Sequence, residues 1–280
     1  MIQAEKVRAY APEPVTETYT YSQTILYALG VGAGADDLRY VYEKDLVAIP
    51  TMAAVLAREE PWLHKPEFGI NVAKMLHGEQ SLEIHRPLAS SGRVTCRLSV
   101  DALHDKGEGR GALLVMKRSI SDAQDGTSIA TIRITSFLRA DGGFGGRSDP
   151  VPTPRNVPNR PSDKVVCYKT TLEQALLYRL SGDWNPIHAD PEVAVKAGFS
   201  KPILHGLCTY GVACRAILRA ACKGVAANLK RFDARFSSPV YPGDTVVTEI
   251  WIESTQVFFR CWVPERDALV LTNGYAEIAG

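Results

Sequence analysis

A short stretch of this chain occurs twice. Ile25-Leu-Tyr-Ala-Leu-Gly-Val-Gly32 and Leu176-Leu-Tyr-Arg-Leu-Ser-Gly-Asp183 align at a constant offset of 151, with Leu, Tyr and Leu coinciding. Self-similarity at a fixed spacing marks an internal duplication, so the chain is constrained to fold as two related units. Its 280 residues leave room for two ordinary domains. The boundary falls in a Pro-rich stretch, which gives a first unit over 1–145, an extended linker over 146–164 and a second unit over 165–280.

Each unit reads as helices followed by strands, an α+β pattern. In the first, Thr20 to Leu29 predicts a helix and the apolar run Ile49 to Ala57 predicts a second, buried one. A loop-rich segment, Glu59 to Lys74, precedes strands near 80–86, 92–104, 111–122 and 128–138, with patches of alternation at Arg93–Val100 and Ile129–Phe137. In the second, a helix over Leu172–Leu180, with Leu172, Ala175, Leu176 and Leu180 on one face, leads to a turn, a short helix and a helix apolar nearly all round after Gly206. Strands near 230–237, 244–254, 256–263 and 269–278 follow. Residues 1–18 are expected to be irregular.

The two copies differ in their polar residues. Asp183 and His188 in the second copy correspond to Gly32 and Asp37 in the first. The segment Tyr178-Arg-Leu-Ser-Gly-Asp-Trp-Asn-Pro-Ile-His188 concentrates a carboxylate, a carboxamide and an imidazole. On a continuous helix, positions five apart point about 140° away from each other. Gly182 and Pro186 break the helix, and on such a turn Asp183 and His188 can meet. Asp190-Pro191 reads as an N-cap with Pro in the first helical position. After Leu204-His205, Gly206 opens the buried helix with no side chain to block approach, so its N–H can face a developing negative oxygen. A carboxylate, an imidazole, an amide side chain and a backbone donor suit the addition or removal of water next to a carbonyl. One of Asp183 and His188 takes a proton from water and the other supplies one to carbon.

Ser181-Gly-Asp-Trp-Asn-Pro-Ile-His188 and Leu204-His-Gly206 resemble the signature of the R-specific, type 2 enoyl-CoA hydratases, the MaoC-like hydratases. The likeness extends to Leu76-His-Gly-Glu-Gln80, Asp105-Lys-Gly107, Gly142-Gly-Phe-Gly-Gly146 and Pro158-Asn-Arg-Pro161. It implies a double hot-dog fold, two units each made of a long helix wrapped by a curved antiparallel sheet. The first unit would be non-catalytic and contribute acyl-chain and CoA contacts; the second would be catalytic. It implies reversible hydration of trans-2-enoyl-CoA to (3R)-3-hydroxyacyl-CoA, a hydro-lyase reaction of fatty-acid or sterol side-chain β-oxidation. It assigns the acid–base pair to Asp183 and His188 and the oxyanion positions to Asn185 and Gly206. It implies acyl-CoA contacts at His77, Gly78, Lys106, Trp184, Pro186, Ile187 and Phe236. No cofactor is implied, since acyl-CoA is the substrate, and a homodimer is compatible with the family. Other readings are a hot-dog thioesterase, an acyl-carrier-protein dehydratase, or a non-catalytic acyl-CoA-binding protein.

Composition narrows the field further. The formal net charge of +1 and the lack of a basic block argue against nucleic-acid or membrane-surface binding. No apolar run reaches the roughly 18 residues of a membrane span. The six cysteines form no C-x-x-C pair and read as buried, reduced thiols. No metal is expected at Asp183, His188 and His205, because the thioester already acidifies the α-carbon. His205 reads as structural, its ring fixing the turn that aims Gly206. His64, His85 and His104 read as surface residues. Gly30-Val-Gly32-Ala-Gly34 follows a helix, so it reads as a glycine-rich turn and not a nucleotide loop. No G-x-S-x-G elbow is present. The chain start lacks an apolar signal core, and Glu-Ile-Ala-Gly is no peroxisomal tripeptide. The expected compartment is therefore a bacterial cytoplasm, or the peroxisome if the source is eukaryotic.

Overall fold

The computed structural model describes residues 2–58, 61–145 and 155–280. In chain order the first unit holds α1 (Ala4–Arg8), β1 (Val15–Tyr19), α2 (Tyr21–Gly30), α3 (Leu38–Val41), β2 (Met75–Ile84), β3 (Gly92–Asp105), β4 (Ala112–Asp122) and β5 (Ser128–Leu138). The second holds β6 (Lys164–Lys169), α4 (Gln174–Tyr178), α5 (Pro191–Lys196), α6 (Gly206–Ala220), β7 (Leu229–Phe236), β8 (Thr245–Glu253), β9 (Gln256–Val263) and β10 (Ala268–Ile278).

All ten strands form one antiparallel sheet in the order β1-β3-β4-β5-β2-β7-β10-β9-β8-β6. Read inward from either edge, each unit has the same connectivity, so the duplication is visible in topology as well as sequence. The units join where β2 pairs with β7, from Glu79 opposite Arg235 to Glu83 opposite Arg231. The double hot-dog and the α+β class both hold.

The two copies meet at their repeated helices. The Thr20 hydroxyl and Gln23 form a reciprocal capping box that starts α2. Tyr27 and Tyr178, equivalent in the repeat, are both buried, with ring centroids 6.1 Å apart. A Cβ on Gly30 would stand 3.2 Å from the Tyr178 Cα, so this close crossing needs a small residue. Beneath them runs α6, buried continuously from Cys208 to Leu218. The main apolar core draws on both units.

Four expectations need correction. Residues 1–18 are not irregular: they contain α1 and β1, and β6 opens the second unit where no strand was expected. Both missed strands are the outer edges of the sheet, short and mostly unburied, where burial writes little pattern. The Ile49–Ala57 run is not a long helix but a short 3-10 helix of six residues, Pro50–Val55. The buried Arg118 guanidinium donates to the carbonyls of Ala54, Leu56 and Ala57, and the Ala57 N–H donates to Glu17. Backbone groups that would have continued a helix are spent on β4 and β1. Arg118 also divides the inner face of β4: Ile120 packs in the main core, while Ala112, Leu114 and Met116 join a second cluster around Trp62 and Phe68.

Third, the leucines of the Leu172–Leu180 helix do not face the core. Leu172, Leu176 and Leu180 are 72%, 50% and 47% exposed, while Ala175 and Tyr178 are buried. Fourth, Cys167, on the edge strand β6, is exposed; the other five cysteines are buried and none is in a disulfide. Of the linker, residues 146–154 lie outside the described residues, and 155–163 contain neither helix nor strand. No helix among the described residues is long and apolar enough to cross a membrane.

Candidate active site

The helical segment ends as its sequence requires. After the 3-10 turn Arg179–Ser181, Gly182 takes φ 103°, a left-handed stop that favours glycine. Asp183 and Asn185 then make two overlapping side-chain turns. The Asn185 N–H donates to Asp183 Oδ1 at 3.3 Å, and the Ile187 N–H donates to Asn185 Oδ1 at 3.2 Å. Pro186 begins the 3-10 turn that ends at His188. Asp190 caps α5 by accepting from the Glu192 and Val193 amides.

This turn delivers Asp183, His188 and His205 to one place, with one side-chain donor or acceptor atom from each within 4.8 Å of the others. Two acceptors that far apart can share one water, since each hydrogen bond spans about 2.8 Å. The His188 Nδ1 lies 2.8 Å from the Ile203 carbonyl, which can only accept, so Nδ1 carries the proton and Nε2 offers its lone pair. Burial pulls the His188 pKa down, partly offset by that carbonyl and by Asp183, which favours the neutral ring.

His205 stacks on His188, centroids 3.7 Å apart, and its Nε2 donates to the Asp183 carbonyl at 3.2 Å. It therefore ties the turn to the start of α6, close to the structural part expected for it. Its pKa is pulled down to about 4, first by burial and then by His188. The stacking also bears on metal binding. Imidazole lone pairs lie in the ring plane, and the two rings are only 26° from parallel. One ion could lie in the plane of one ring but not both, which fits a zinc-type donor set poorly.

Gly206 is the first residue of α6, so its N–H has no acceptor within the helix. It is solvent-accessible and backed by Phe236, whose ring atoms would stand 3.2 and 3.3 Å from a Cβ placed there. His77 packs against the same ring at 4.7 Å. Burial pulls the His77 pKa down to about 4, with the Gln80 side chain and Glu79 backbone opposing it. Gly78 lies at a register shift in β2. Asp183, Asn185, His188, Gly206, Phe236 and His77 thus border one region, at the start of β2 and the start of α6.

The remaining expected contacts are more peripheral. Trp184 is 56% exposed, with the Arg179 guanidinium 4.6 Å from its ring centroid. Pro186 is exposed and Ile187 half-buried on the same turn. Lys106 is exposed on the turn after β3, its Nζ 4.8 Å from the centroid of Phe137, which pairs with Leu76 beside His77. His64 and His85 are exposed, but His104 is buried rather than on the surface. It lies opposite Leu113, on the face of β3 turned away from the core residue Leu103, and is covered there.

Sequence reading missed Arg58, whose Nη1 donates to the Gly182 carbonyl at 3.4 Å from the opposite unit. No local pattern could have paired residues so distant in the chain. The first copy's turn is closed. Arg215 of α6 pairs with Asp37, donates to the Val31 carbonyl, and stands 3.1 Å from where a Gly32 Cβ would lie.

Two family models match the chain. Residues 154–272 match the family described as MaoC like domain, and residues 18–140 match the MFE-2 hydratase 2 N-terminal domain. The chain is 41% identical to 3-hydroxyacyl-thioester dehydratase Y of Mycobacterium tuberculosis, covering 96% of each. It is 39% identical to the peroxisomal enoyl-CoA hydratase 2 of Arabidopsis thaliana, covering 94% of this chain and 91% of the relative. It is also 39% identical to the mouse peroxisomal multifunctional enzyme type 2, where 94% of this chain spans only 37% of the longer protein. The crystal structure of a MaoC-like dehydratase from Phytophthora capsici superposes with a TM-score of 0.89 at 36% identity over 99% of both chains.

Proposed function

The chain belongs to the MaoC-like family in which a MaoC like domain follows an MFE-2 hydratase 2 N-terminal domain, and from that premise we propose that it is a hydro-lyase adding water reversibly to trans-2-enoyl-CoA to give (3R)-3-hydroxyacyl-CoA. The observation that carries the reading is the approach of the Asp183 carboxylate and the His188 ring to within 4.8 Å beside the first amide of α6.

The mechanism follows from what each group can do. Asp183 and the His188 Nε2 are both acceptors, so a water between them donates both protons and turns a lone pair toward C3 of the enoyl group. As the C3–O bond forms, the π electrons move onto C2 and the thioester oxygen, where the Gly206 N–H and the Asn185 amide meet the negative charge. One of the pair takes a proton from water, the pair delivers one to C2, and both groups end as they began. A preformed pair of this kind has no role in ligand binding alone, which favours an enzyme over a passive acyl-CoA carrier. His77, Gly78, Lys106, Trp184, Pro186, Ile187 and Phe236 would border the bound acyl-CoA, with Lys106 meeting CoA phosphate.

The shortened first-unit helix would leave room for a long or bulky acyl chain. The exposed Leu172, Leu176 and Leu180 supply an apolar face suited to a homodimer.

The test is a stereochemical product assay on enoyl-CoA thioesters from crotonyl-CoA to C10 and longer. Loss of enoyl absorbance with (3R) product, fastest on the longer chains, is the expected result. Release of free CoA would replace this reading with a thioesterase. Equal or better turnover of crotonyl-CoA would remove the long-chain assignment.

A further inference from the structure

The peptides on either side of Asp183 are both held from outside the turn. The one before it contains the Gly182 carbonyl, which accepts from Arg58 Nη1 at 3.4 Å. The one after it contains the Asp183 carbonyl, which accepts from His205 Nε2 at 3.2 Å. Two planar peptides meet at the Asp183 Cα, so their orientations set its φ and ψ and the direction in which its side chain leaves the backbone. Gly182, at φ 103°, is a conformationally permissive residue and adds no stiffness of its own. The preceding peptide therefore depends on an external partner. His205 comes from the edge of α6 in the same unit, whereas Arg58 comes from the first unit, 124 residues before Gly182.

The backbone that presents Arg58 is firmly held. Ala57, just before it, is 1% exposed and takes φ 47°, a left-handed conformation that a residue with a Cβ adopts at a cost. Both of its peptide groups are spoken for. Its N–H donates to the Glu17 carboxylate on β1, and its carbonyl accepts from Arg118 Nη2 on β4 at 2.9 Å. The Ala54 and Leu56 carbonyls accept from the same guanidinium. A strained residue persists only where its surroundings over-determine it, and such residues gather where the chain must be aimed. Here the bend sends Arg58 across to the Asp183 turn. The Arg58 charge is felt at His77 and Tyr178, and so is that of Asp183, so the guanidinium and the carboxylate flank the same two rings.

We propose that Arg58 is a positioning residue for the hydration step: by holding the Gly182 carbonyl it fixes the peptide that precedes Asp183 and so aims the carboxylate at the water shared with His188. This rests on the acid–base role proposed for Asp183. The bond is at the long end of the range and Arg58 is exposed, so water competes for both partners and the effect is moderate. Its place is in the chemical step. A carboxylate that points wrongly still leaves the acyl-CoA contacts intact but meets the reacting water in the productive geometry less often. The first unit then contributes to catalysis through one side chain, although it has lost its own acid–base pair.

Arg58→Met keeps the length of the side chain and removes its donors; Arg58→Lys keeps a donor. The first measurement needs no substrate. By hydrogen–deuterium exchange and mass spectrometry, the segment 179–188 should exchange faster in Arg58→Met than in wild type and return toward wild type in Arg58→Lys. Melting temperatures should stay close to wild type, as expected of an exposed position. In the enoyl-CoA assay, kcat should fall about three- to tenfold in Arg58→Met, the scale of one hydrogen bond, with KM within about twofold, and Arg58→Lys should recover most of the loss. Unchanged exchange over 179–188 in Arg58→Met overturns the proposal. So does a raised KM with kcat intact, which would make Arg58 a contact for CoA phosphate. A lower melting temperature with kcat unchanged would make it structural. If wild type hydrates no enoyl-CoA, the functional reading fails, while exchange in the three proteins still decides whether Arg58 holds the turn.

Discussion

Burial holds the imidazoles of the site below their ordinary pKa, and this has a price in acid. His77 and His205 are both pulled down to about 4, and His188 is lowered in the same direction, with desolvation the first cause each time. An unfolded histidine binds a proton as pH falls through about 6.5. The folded ones resist until far lower pH, so in that interval the unfolded chain holds more protons. Stability from these groups is therefore complete above about pH 6.5 and is lost as pH falls toward 4. Between pH 8 and pH 5, His77 would remove about 2 kcal/mol, and His205 and His188 add to the loss in the same direction. Carboxylates with lowered pKa, such as Asp163 at about 2, lose their contribution below their ordinary range near 4, so stopping at pH 5 keeps them nearly silent. Urea unfolding at the two pH values reads the difference directly. His77→Gln should recover about 2 kcal/mol of the acid loss, and it is the cleaner variant because His205 interacts with His188. Equal stability of wild type at pH 8 and 5, or an undiminished acid loss in His77→Gln, would refute the reasoning.

Asp183→Asn and His188→Ala should each lower kcat/KM by about 10²- to 10⁴-fold while circular dichroism remains native; substantial hydration by either variant would remove the roles proposed for this pair. Gly211→Ala tests how closely α6 lies on the first copy's turn. The new methyl would stand 2.4 Å from Val31 Cγ1, so overpacking should cost about 1–3 kcal/mol in urea unfolding despite alanine's better helix propensity. Adding Val31→Ala should recover part of that loss, and strict additivity would count against the contact.

What could be read from the sequence depended on how local its cause was. The turn at Asp183–His188 was legible because Gly182, Pro186 and Asp190 each act on the backbone within a few residues. The inner strands of both units were legible because one buried face imposes alternation. The edge strands β1 and β6 were not, since few of their side chains are buried. The Ile49–Ala57 run has helical composition, but its conformation is set by Arg118, some sixty residues on. The row Leu172, Leu176, Leu180 has helical spacing, but the face used is chosen by the other copy, where Gly30 admits Tyr178.

The same distinction accounts for the single site. The long helix α6 serves both copies: its first residues lie beside the Asp183 turn, and its middle covers the first copy's turn. There Cys208 Sγ lies 3.2 Å from the Gly30 carbonyl, Gly211 meets Val31, and Arg215 fills the space beside Gly32 while pairing with Asp37. By the symmetry of the fold, the first unit's helix should cover the Asp183 turn in return. That helix is a 3-10 segment of six residues, and among the described residues its extension reaches over as Arg58, which bonds the Gly182 carbonyl and is itself exposed. Shortening one helix thus leaves the other copy's turn less covered, so the loss of regular structure at Ile49–Ala57 and the exposure of the Asp183 turn are two sides of one asymmetry.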